Sequence, residues 1–204
     1  RQALTEMIKN RMGVQILSEH QLRNRMSRWP LIVVPGWDYL DADFRDELAS
    51  YARAGGRLLL IGPGPSKLFA EELADNEIAQ QSVLSHSRVD ESFPSLLRRM
   101  LPEPIVRVTG PGSVDVSPRV LEDGRLTIHL VNSSGPHASP PPEGIKEIAA
   151  VGPLEVSIRL DEAPQEIVQQ PQNRKLRFSW SDGLATVTLS SLELYSILVI
   201  QPDA

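Results

Sequence analysis

The amino-acid sequence predicts an α/β domain with a parallel sheet, followed by an all-β antiparallel sandwich. In the first half, two apolar runs of strand length, residues 31–34 and 57–61, lie on either side of an amphipathic helix, as is typical of buried parallel strands. In the second half, apolar residues recur at every second position, as in strands with one buried face. Pro102 and Pro104 separate the two patterns, so the predicted domains are residues 1–103 and 104–204.

The segment before the first apolar run contains three shorter signals. Apolar spacing predicts a helix over residues 4–8, a short strand over residues 14–17 and a second helix over residues 21–29. Pro30 then leads into the β-branched strand over residues 31–34. This alternation of helices and strands indicates the α/β class.

The helix between the two apolar runs has the clearest boundaries in the sequence. Asp41 can cap its first turn by accepting hydrogen bonds from backbone amides, and Gly55 supplies a left-handed exit. Its apolar residues fall on one face, and they are Phe44, Leu48, Tyr51 and Ala52. The strand over residues 57–61 follows at once, and a strand–helix–strand unit of this kind makes a right-handed parallel crossover.

The second half is predicted to contain roughly seven or eight short antiparallel strands. Asp123-Gly124 and Asp182-Gly183 stand where hairpin turns require positive φ angles. The proline-rich insert at residues 133–144 is predicted to be an exposed loop. The alternating apolar positions are Val106, Val108, Val114, Val116, Leu126, Ile128, Leu130, Leu154, Val156, Ile158, Leu160, Leu176, Phe178, Trp180, Ala185, Val187 and Leu189.

The composition excludes several classes of function. The 204 residues carry 21 basic and 26 acidic side chains, and neither sign forms a block, so a nucleic-acid partner is not expected. The absence of cysteine excludes disulfides, thiolate metal sites and cysteine nucleophiles. No apolar run is long enough to span a bilayer, and neither a membrane partner nor a cofactor is predicted. Both a cytoplasmic and a secreted location stay open, and the start at Arg1 is expected of a fragment or processed product.

Two turns mark a candidate ligand site, because ligands of open α/β sheets bind beyond the carboxyl ends of the strands. In the turn over residues 35–38, Trp37 and Asp38 are the candidate ligand-binding residues, since an indole ring can stack on a sugar and a carboxylate can bind its hydroxyls. The more common alternative is an aromatic ring that closes the end of the sheet. The turn over residues 62–65 is expected to be an ordinary strand-to-loop turn, because its prolines lack the N–H donors that hold a phosphate.

No catalytic or metal-binding residue is predicted. The acidic residues at positions 38, 41, 43 and 46 are expected to be structural, with Asp41 as a cap and Asp43 as a partner of the helix dipole. No GxSxG elbow follows a strand, so a Ser-His-Asp site is not supported. The histidines are scattered without metal-ligand spacing, and they are His20, His86, His129 and His137.

Residues 28–65, RWPLIVVPGWDYLDADFRDELASYARAGGRLLLIGPGP, resemble the β-galactosidase trimerisation domain, a flavodoxin-like domain of the class I glutamine-amidotransferase type. The matching features are an apolar strand ending in Val34-Pro35, the pair Tyr39-Leu40 before an acidic helix start, and Tyr51 ahead of Gly55-Gly56. The resemblance covers about residues 4–65. The stretches LTIHLVN and SLELYSILVI are similar to the β domain that ends family-42-type and related glycoside hydrolases.

The resemblance implies a non-catalytic C-terminal region of a glycoside hydrolase that supports subunit assembly and walls the active-site cleft. It implies a catalytic TIM-barrel domain elsewhere in the parent chain, a homo-oligomer, and helix faces that carry an apolar patch. It also implies that the first strand of the α/β fold is missing from residues 1–103. Glutaminase chemistry does not carry over, because it needs a cysteine nucleophile, and we therefore expect no enzyme activity from this chain alone.

Two other functions stay open. The chain can be a carbohydrate-binding module, in which the sandwich or the Trp37 turn holds a glycan, and such a module shows two or more aromatic rings on one exposed face. Trp180 instead falls in register with Leu176 and Phe178, which indicates a place in the core. The third possibility, a small-ligand hydrolase that uses the Asp38 region, lacks a recognisable nucleophile and base. The parent substrate and the oligomeric state are not determined by the sequence.

Overall fold

The computed structural model describes residues 2–75, 82–135 and 148–202. The chain forms two compact units, one made of Arg1–Glu6 and Gln15–Pro102, the other of Met7–Val14 and Glu103–Ala204. The first contains a parallel sheet with helices and the second contains two antiparallel sheets. The predicted order, an α/β domain followed by a β-sandwich, is confirmed.

The first unit is built on three parallel strands in the order β1-β2-β3. The pairing is in register from Leu31 opposite Arg57 to Pro35 opposite Ile61, so the two predicted apolar runs lie side by side and parallel. The elements up to residue 102 are α1 (Gln2–Lys9), α2 (Glu19–Leu22), a 3-10 turn (Met26–Arg28), β1 (Leu31–Pro35), α3 (Ala42–Arg53), β2 (Arg57–Ile61), α4 (Pro63–Leu68), α5 (Ala70–Ala74), β3 (Val83–His86) and α6 (Phe93–Met100).

Helix α3 begins and packs as its sequence predicts. The carboxylate of Asp41 accepts a hydrogen bond from the amide of Phe44 at 3.3 Å, and it also binds the guanidinium of Arg23. This ion pair and the cap hold the pKa of Asp41 below its usual value, with the Arg23 hydrogen bond as the largest cause. Phe44, Leu48 and other apolar residues of α3 are buried against β1 and β2 in the core of the first unit. The Asp41 carboxylate is therefore structural.

Three features of the first unit differ from the prediction. Residues 14–17 form no strand, because no strand in the described part of the chain pairs with them. The helix predicted over residues 21–29 is divided into α2 and the 3-10 turn, because Asn24 takes a left-handed φ of 59°. Strand β3 was not predicted, since Val83 and Leu84 make too short an apolar run to stand out among polar neighbours.

The second unit contains nine strands in its described residues, arranged in two sheets. One sheet has the order β10-β11-β7-β4 and the other the order β5-β6-β12-β8-β9. Every pairing in both sheets is antiparallel. The strands are β4 (Val106–Thr109), β5 (Val114–Val120), β6 (Leu126–Asn132), β7 (Leu154–Arg159), β8 (Glu166–Gln170), β9 (Arg174–Leu176), β10 (Phe178–Ser181), β11 (Leu184–Leu189) and β12 (Tyr195–Gln201).

One apolar core joins the two sheets into a sandwich. It takes fully buried side chains from both, for example Ile158 of β7 and Leu198 of β12. The alternating apolar positions therefore face this core, as predicted. Strand β8 was missed because Ile167 and Val168 are both buried in succession, which breaks the alternation.

The Asp182-Gly183 turn is confirmed. Leu176 and Phe178, which look like parts of one strand in the sequence, belong to strands of two different sheets. Asp182 and Gly183 have φ angles of 52° and 75° and connect β10 to β11. Leu176 ends β9 in the five-stranded sheet, whereas Phe178 begins β10 in the four-stranded sheet. Trp180 is half-buried against the sandwich core, in agreement with the prediction. Most of the predicted loop at residues 133–144 lies outside the described residues.

The prediction that helix faces carry an apolar patch is wrong for the described residues. The exposed large apolar side chains lie on loops and strands, because the helices turn their apolar faces to the core. Val131 of β6 pairs directly with Tyr195 of β12, and Leu194 precedes Tyr195. These three exposed residues are here called the β6–β12 patch. Within the described ranges, no helix is long and apolar enough to cross a membrane.

Substitution of His129 is expected to change how stability depends on pH. Partial burial, together with the charge of Arg119, lowers the pKa of His129 below its usual value of about 6.5. The unfolded chain thus takes up the proton first as the pH falls, so the folded state loses stability from about pH 6.5 down to the lowered pKa. Urea unfolding of His129→Gln between pH 7 and 5 should show a flatter profile. Arg119→Gln should flatten it partly, and an unchanged slope in His129→Gln would contradict the assignment.

Candidate functional site

The carboxyl ends of β1, β2 and β3 meet at one edge of the parallel sheet. Pro35, Ile61 and His86 are in register there, and they are the last residues of the three strands. Hydrogen bonds extend the ladder one residue further, from the amide of Gly36 to the Ile61 carbonyl at 2.7 Å and from the amide of Gly62 to the His86 carbonyl at 2.8 Å. This edge is where open α/β sheets bind ligands.

The predicted ligand residues Trp37 and Asp38 lie in the loop directly after β1. Trp37 is 57% exposed and Asp38 is exposed. Tyr39 is 76% exposed, so an exposed aromatic residue stands on each side of Asp38 in the sequence. The sequence argument did not select Tyr39, although its closeness to Trp37 was a usable signal.

Gly64 allows the loop after β1 to approach α4. A Cβ atom at Gly64 would lie 2.3 Å from Oδ1 of Asp38 and 2.6 Å from the carbonyl oxygen of Trp37. Both distances are far below van der Waals contact, and the carbonyl belongs to the backbone and cannot rotate away. The absence of a side chain at Gly64 thus determines where Trp37 and Asp38 lie.

Gly64→Ala is expected to displace the loop after β1 and to lower the free energy of unfolding by about 1–3 kcal/mol, the usual cost of overpacking. The measurements are urea unfolding and the tryptophan emission spectrum, which should change because Trp37 moves. Gly135→Ala is the matched control, since among the described residues a Cβ there would meet Ile148 side-chain atoms at 3.4 Å, which is ordinary contact. Equal stability and spectra in the two variants would contradict the close approach.

The turn after β2 differs in one respect from the prediction. Helix α4 begins at Pro63, immediately after Gly62, so the connection is strand-to-helix and not strand-to-loop. Gly62 adopts a φ of 96°, which permits this abrupt change of direction. Pro63 and Pro65 carry no N–H group, and the amide of Ser66 donates to the Gly62 carbonyl at 3.4 Å. The first turn of α4 thus lacks the set of donors that a phosphate needs.

A histidine cluster at the end of β3 was missed. Nε2 of His86 lies 3.3 Å from Oδ1 of Asp90 and 3.4 Å from the hydroxyl of Ser92. The Ser92 hydroxyl donates to the same Asp90 oxygen at 2.6 Å. Hydrogen bonds from the side chain and backbone of Ser92, and then from His86, lower the pKa of Asp90. Only recognition of β3 could have directed attention to these residues, because His86 is its last residue.

This cluster lacks the geometry of a catalytic triad. In a triad the carboxylate binds Nδ1 of the histidine and the serine hydroxyl binds Nε2. Here Asp90 and Ser92 both approach Nε2 of His86, and the Ser92 proton is directed at the carboxylate. A hydroxyl held in this way is not deprotonated by the imidazole. We therefore interpret these hydrogen bonds as structural contacts that stabilise the loop between β3 and α6.

Other acidic side chains of the first unit also have structural partners. Asp46 binds the guanidinium of Arg45, as Asp41 binds that of Arg23. Across residues 2–75, 82–135 and 148–202, no three histidine or acidic side chains come close enough together to hold a metal ion. The exposed groups at the strand ends are aromatic rings and a carboxylate, and ligand binding by Trp37 and Asp38 stays a prediction.

Comparisons with known proteins give the fold a context. No protein-family model matches the chain, and no curated protein sequence matches it. The structure resembles part of α-L-fucosidase isoenzyme 2 from Paenibacillus thiaminolyticus, with a TM-score of 0.72 and 14% identity, over 100% of this chain and 45% of the fucosidase chain. The present chain is thus less than half as long as the fucosidase that it matches.

Two further similarities are partial. A rhamnosidase from Novosphingobium sp. PP1Y has a TM-score of 0.49 and 18% identity, over 85% of this chain and 17% of that chain. An exo-carrageenase GH42 from Bacteroides ovatus has a TM-score of 0.49 and 10% identity, over 98% and 26% of the two chains. The fold of this chain thus recurs as one part of the longer fucosidase chain.

Proposed function

We propose that this chain is a non-catalytic region of a glycoside hydrolase, where it supports subunit assembly beside a catalytic barrel carried by the same polypeptide. The observation that supports this proposal is the match of the whole chain to 45% of a longer fucosidase. A fold that makes up less than half of a longer hydrolase chain is suited to an accessory role. The described residues agree with it, because the His86 cluster has no triad geometry.

Within this proposal, the first unit is a trimerisation domain of the amidotransferase-like type, and the second is the β domain that follows it. The capped helix α3 between two parallel strands supports this assignment, as does the sandwich that comes after it. The absence of cysteine from the sequence means that the unit carries no glutaminase activity. In this proposal the first unit forms a wall of the substrate cleft, and the second unit carries the surface for other subunits.

The β6–β12 patch is the surface on which we base the assembly role. Leu194 is 57% exposed, Tyr195 40% and Val131 37%; Val131 and Tyr195 lie directly opposite each other across the pair of strands, and Leu194 is next to Tyr195 in sequence. Contiguous exposed apolar surface is characteristic of partner contacts. Burial of such side chains stabilises association by roughly 25 cal/mol per Å² of apolar area, before the entropic cost of association.

The test uses the parent polypeptide that contains this chain. Val131→Ser together with Leu194→Ser should weaken subunit association at least about tenfold, which corresponds to about 1.4 kcal/mol, in sedimentation equilibrium. The matched control is Val120→Ser with Leu121→Ser, which removes exposed apolar side chains outside the patch. Unchanged association in the first variant, or hydrolysis of nitrophenyl glycosides by the purified 204-residue chain, would refute the proposal.

A second candidate function, carbohydrate binding, is favoured by one observation. Trp37 and Tyr39 are both well exposed, and the carboxylate of Asp38 lies between them in sequence. Titration of the chain with fucose-, galactose- and rhamnose-containing oligosaccharides should then give a saturable change in tryptophan fluorescence. Trp37→Ala should abolish the change, whereas Trp180→Phe, in the core of the second unit, should keep it. Absence of a saturable response would reject this function.

A further inference from the structure

Strand β4 lies at the edge of the four-stranded sheet, where it pairs with β7 on one side and with no described strand on the other. The amide of Arg159 donates to the carbonyl of Ile105 at 2.8 Å, just before β4 begins. Because paired and outward-facing residues alternate along an antiparallel strand, Val106 and Val108 present their backbone groups to the free edge of β4. An uncovered edge of this kind can pair with another strand.

Strand β5 is an edge strand of the five-stranded sheet. The amide of Ser133 donates to the carbonyl of Ser113 at 3.0 Å, one residue before β5 begins. The same alternation then directs the backbone groups of Val116 and Pro118 to the free edge. Proline lacks an N–H group, and within sheets it is confined to positions that need no donor, so Pro118 agrees with an edge that has no strand partner.

A short segment from the start of the chain lies on the edge of β5. Residues Met7–Val14, here called the strap, belong to the second unit, whereas the next residues, Gln15–Pro102, belong to the first unit. A Cβ atom at Gly13 would lie 2.4 Å from Cδ of Pro118. Because the proline ring cannot rotate away, only a glycine allows the strap to come so close to the free edge of β5.

The side chain of Arg11 holds the strap to the turn between β4 and β5. Its Nη2 donates to the carbonyl oxygens of Gly110 and Gly112, each at 2.7 Å, and lies 3.3 Å from that of Pro111. Its Nη1 donates to the carbonyl oxygen of Val108 at 3.2 Å, on the free edge of β4. Four carbonyl oxygens thus converge on one planar guanidinium, whose charge strengthens each hydrogen bond.

The turn between β4 and β5 provides these oxygens because of its glycines. Gly110 and Gly112 have φ angles of 129° and 73°, and a Cβ at Gly110 would lie 2.5 Å from the carbonyl oxygen of Pro153. In the described part of the chain, no backbone amide donates to the carbonyl oxygens of residues 110–112. These free acceptors match a group that carries several N–H donors and a positive charge.

We propose that the carbonyl oxygens of the β4–β5 turn form a guanidinium-binding site, which Arg11 occupies to close the strap over the free edges of β4 and β5. The sandwich is then completed by residues that precede Gln15–Pro102 in the sequence, and this stretch is an insertion whose two ends are both connected to the second unit. Release of Arg11 would uncover both edges to other strands. This role goes beyond the proposed function, which does not involve the strap.

The first test replaces Arg11 by asparagine in the 204-residue chain, since asparagine tolerates the left-handed φ of 58° that Arg11 adopts. Amide hydrogen exchange of the strap should become at least about tenfold faster, because the strap opens more often. Slow exchange in β7 and β11 should persist, which shows that the sandwich is still folded. The matched control is Arg125→Asn, which removes a guanidinium that is paired with Asp123 instead and should leave the strap unchanged.

Arg11→Lys separates the guanidinium from its charge. An ammonium is a single point donor, and it cannot reach oxygen atoms that two guanidinium nitrogens now bind. This variant should therefore keep most of the faster exchange, and exchange as slow as in the unchanged chain would contradict a guanidinium site. Equal exchange of the strap in Arg11→Asn and in the unchanged chain would overturn the proposal.

The contact between Gly13 and β5 supplies an independent readout. Gly13→Ala should lift the strap from the edge, because its Cβ would overlap the ring of Pro118, and exchange of the strap should again become about tenfold faster. Gly13→Ala together with Pro118→Ala removes the overlapping ring and should recover most of the slow exchange. A double variant as fast as the single one would count against the proposal. Neither readout measures association or hydrolysis, so this inference and the assembly role fail separately.

Discussion

Replacement of Arg53 by methionine is expected to lower the free energy of unfolding by about 3 kcal/mol, because it leaves a buried carboxylate with one distant partner. The side chain of Glu72 is fully buried. Its Oε1 accepts from Nη2 of Arg53 at 2.6 Å, whereas Nη2 of Arg45 lies 3.6 Å from Oε2. Oε2 has no hydrogen bond among the described residues, so Arg53 provides the main compensation for this charge.

The double variant Arg53→Met with Glu72→Leu distinguishes a buried-charge effect from a loss of packing. It removes the carboxylate together with its partner, so it should recover most of the stability that the single variant loses. Arg99→Met, at an exposed position of α6, is the control and should change stability by less than about 0.5 kcal/mol. Urea unfolding at pH 7 measures all three. A double variant as unstable as the single one would contradict this account.

Asn132→Asp is expected to destabilise the sandwich by about 3 kcal/mol, since it replaces a buried donor by an acceptor. Nδ2 of Asn132 donates to the carbonyl oxygens of Ala149 at 2.9 Å and Glu193 at 2.6 Å. Oδ1 accepts from the amide of Ser134 at 3.1 Å. One buried side chain therefore joins three segments of the chain. An aspartate has the shape of an asparagine, but it places a carboxylate oxygen where Nδ2 was, against the two carbonyl oxygens.

The pH dependence of this variant provides a further check. An aspartate at position 132 is buried among carbonyl oxygens, so its pKa rises in the folded state and folding favours the protonated form. The variant should thus lose more stability at pH 8 than at pH 5, because a raised pKa contributes stability only at low pH. Asn173→Asp, at an exposed turn, is the matched control and should be nearly neutral. Equal losses at positions 132 and 173 would refute the role of Asn132.

The sequence was most informative where the signal is local. In the sequence, Asp41 and Gly55 mark the two ends of α3. In the structure, Asp41 caps the helix, and the helix lies between these two residues. The Asp182-Gly183 turn is local in the same sense, because positive φ angles favour few residue types. Trp37 and Asp38 were placed at a strand end for the same reason, since β1 is apolar and ends at a proline. Their role as ligand residues stays a prediction.

The features that sequence reasoning missed depend on partners distant in the chain. His86, Asp90 and Ser92 are close in sequence, but they were overlooked because β3 has little apolar signal of its own and is placed at the sheet edge by its pairing with β2. Strand β8 is buried on both sides, so its alternation is absent. Residues 14–17 have strand composition but no partner, and a strand exists only when its backbone groups are paired.

The sequence by itself determined the class of each half, the excluded chemistries and the ends of the best-bounded helix. These follow from periodicity, from the absence of cysteine and from capping residues, which all act over a few positions. Only the tertiary structure decided which strands share a sheet and that Glu72 is a buried partner of two arginines. Such features depend on long-range pairing and on volume, which no local pattern encodes.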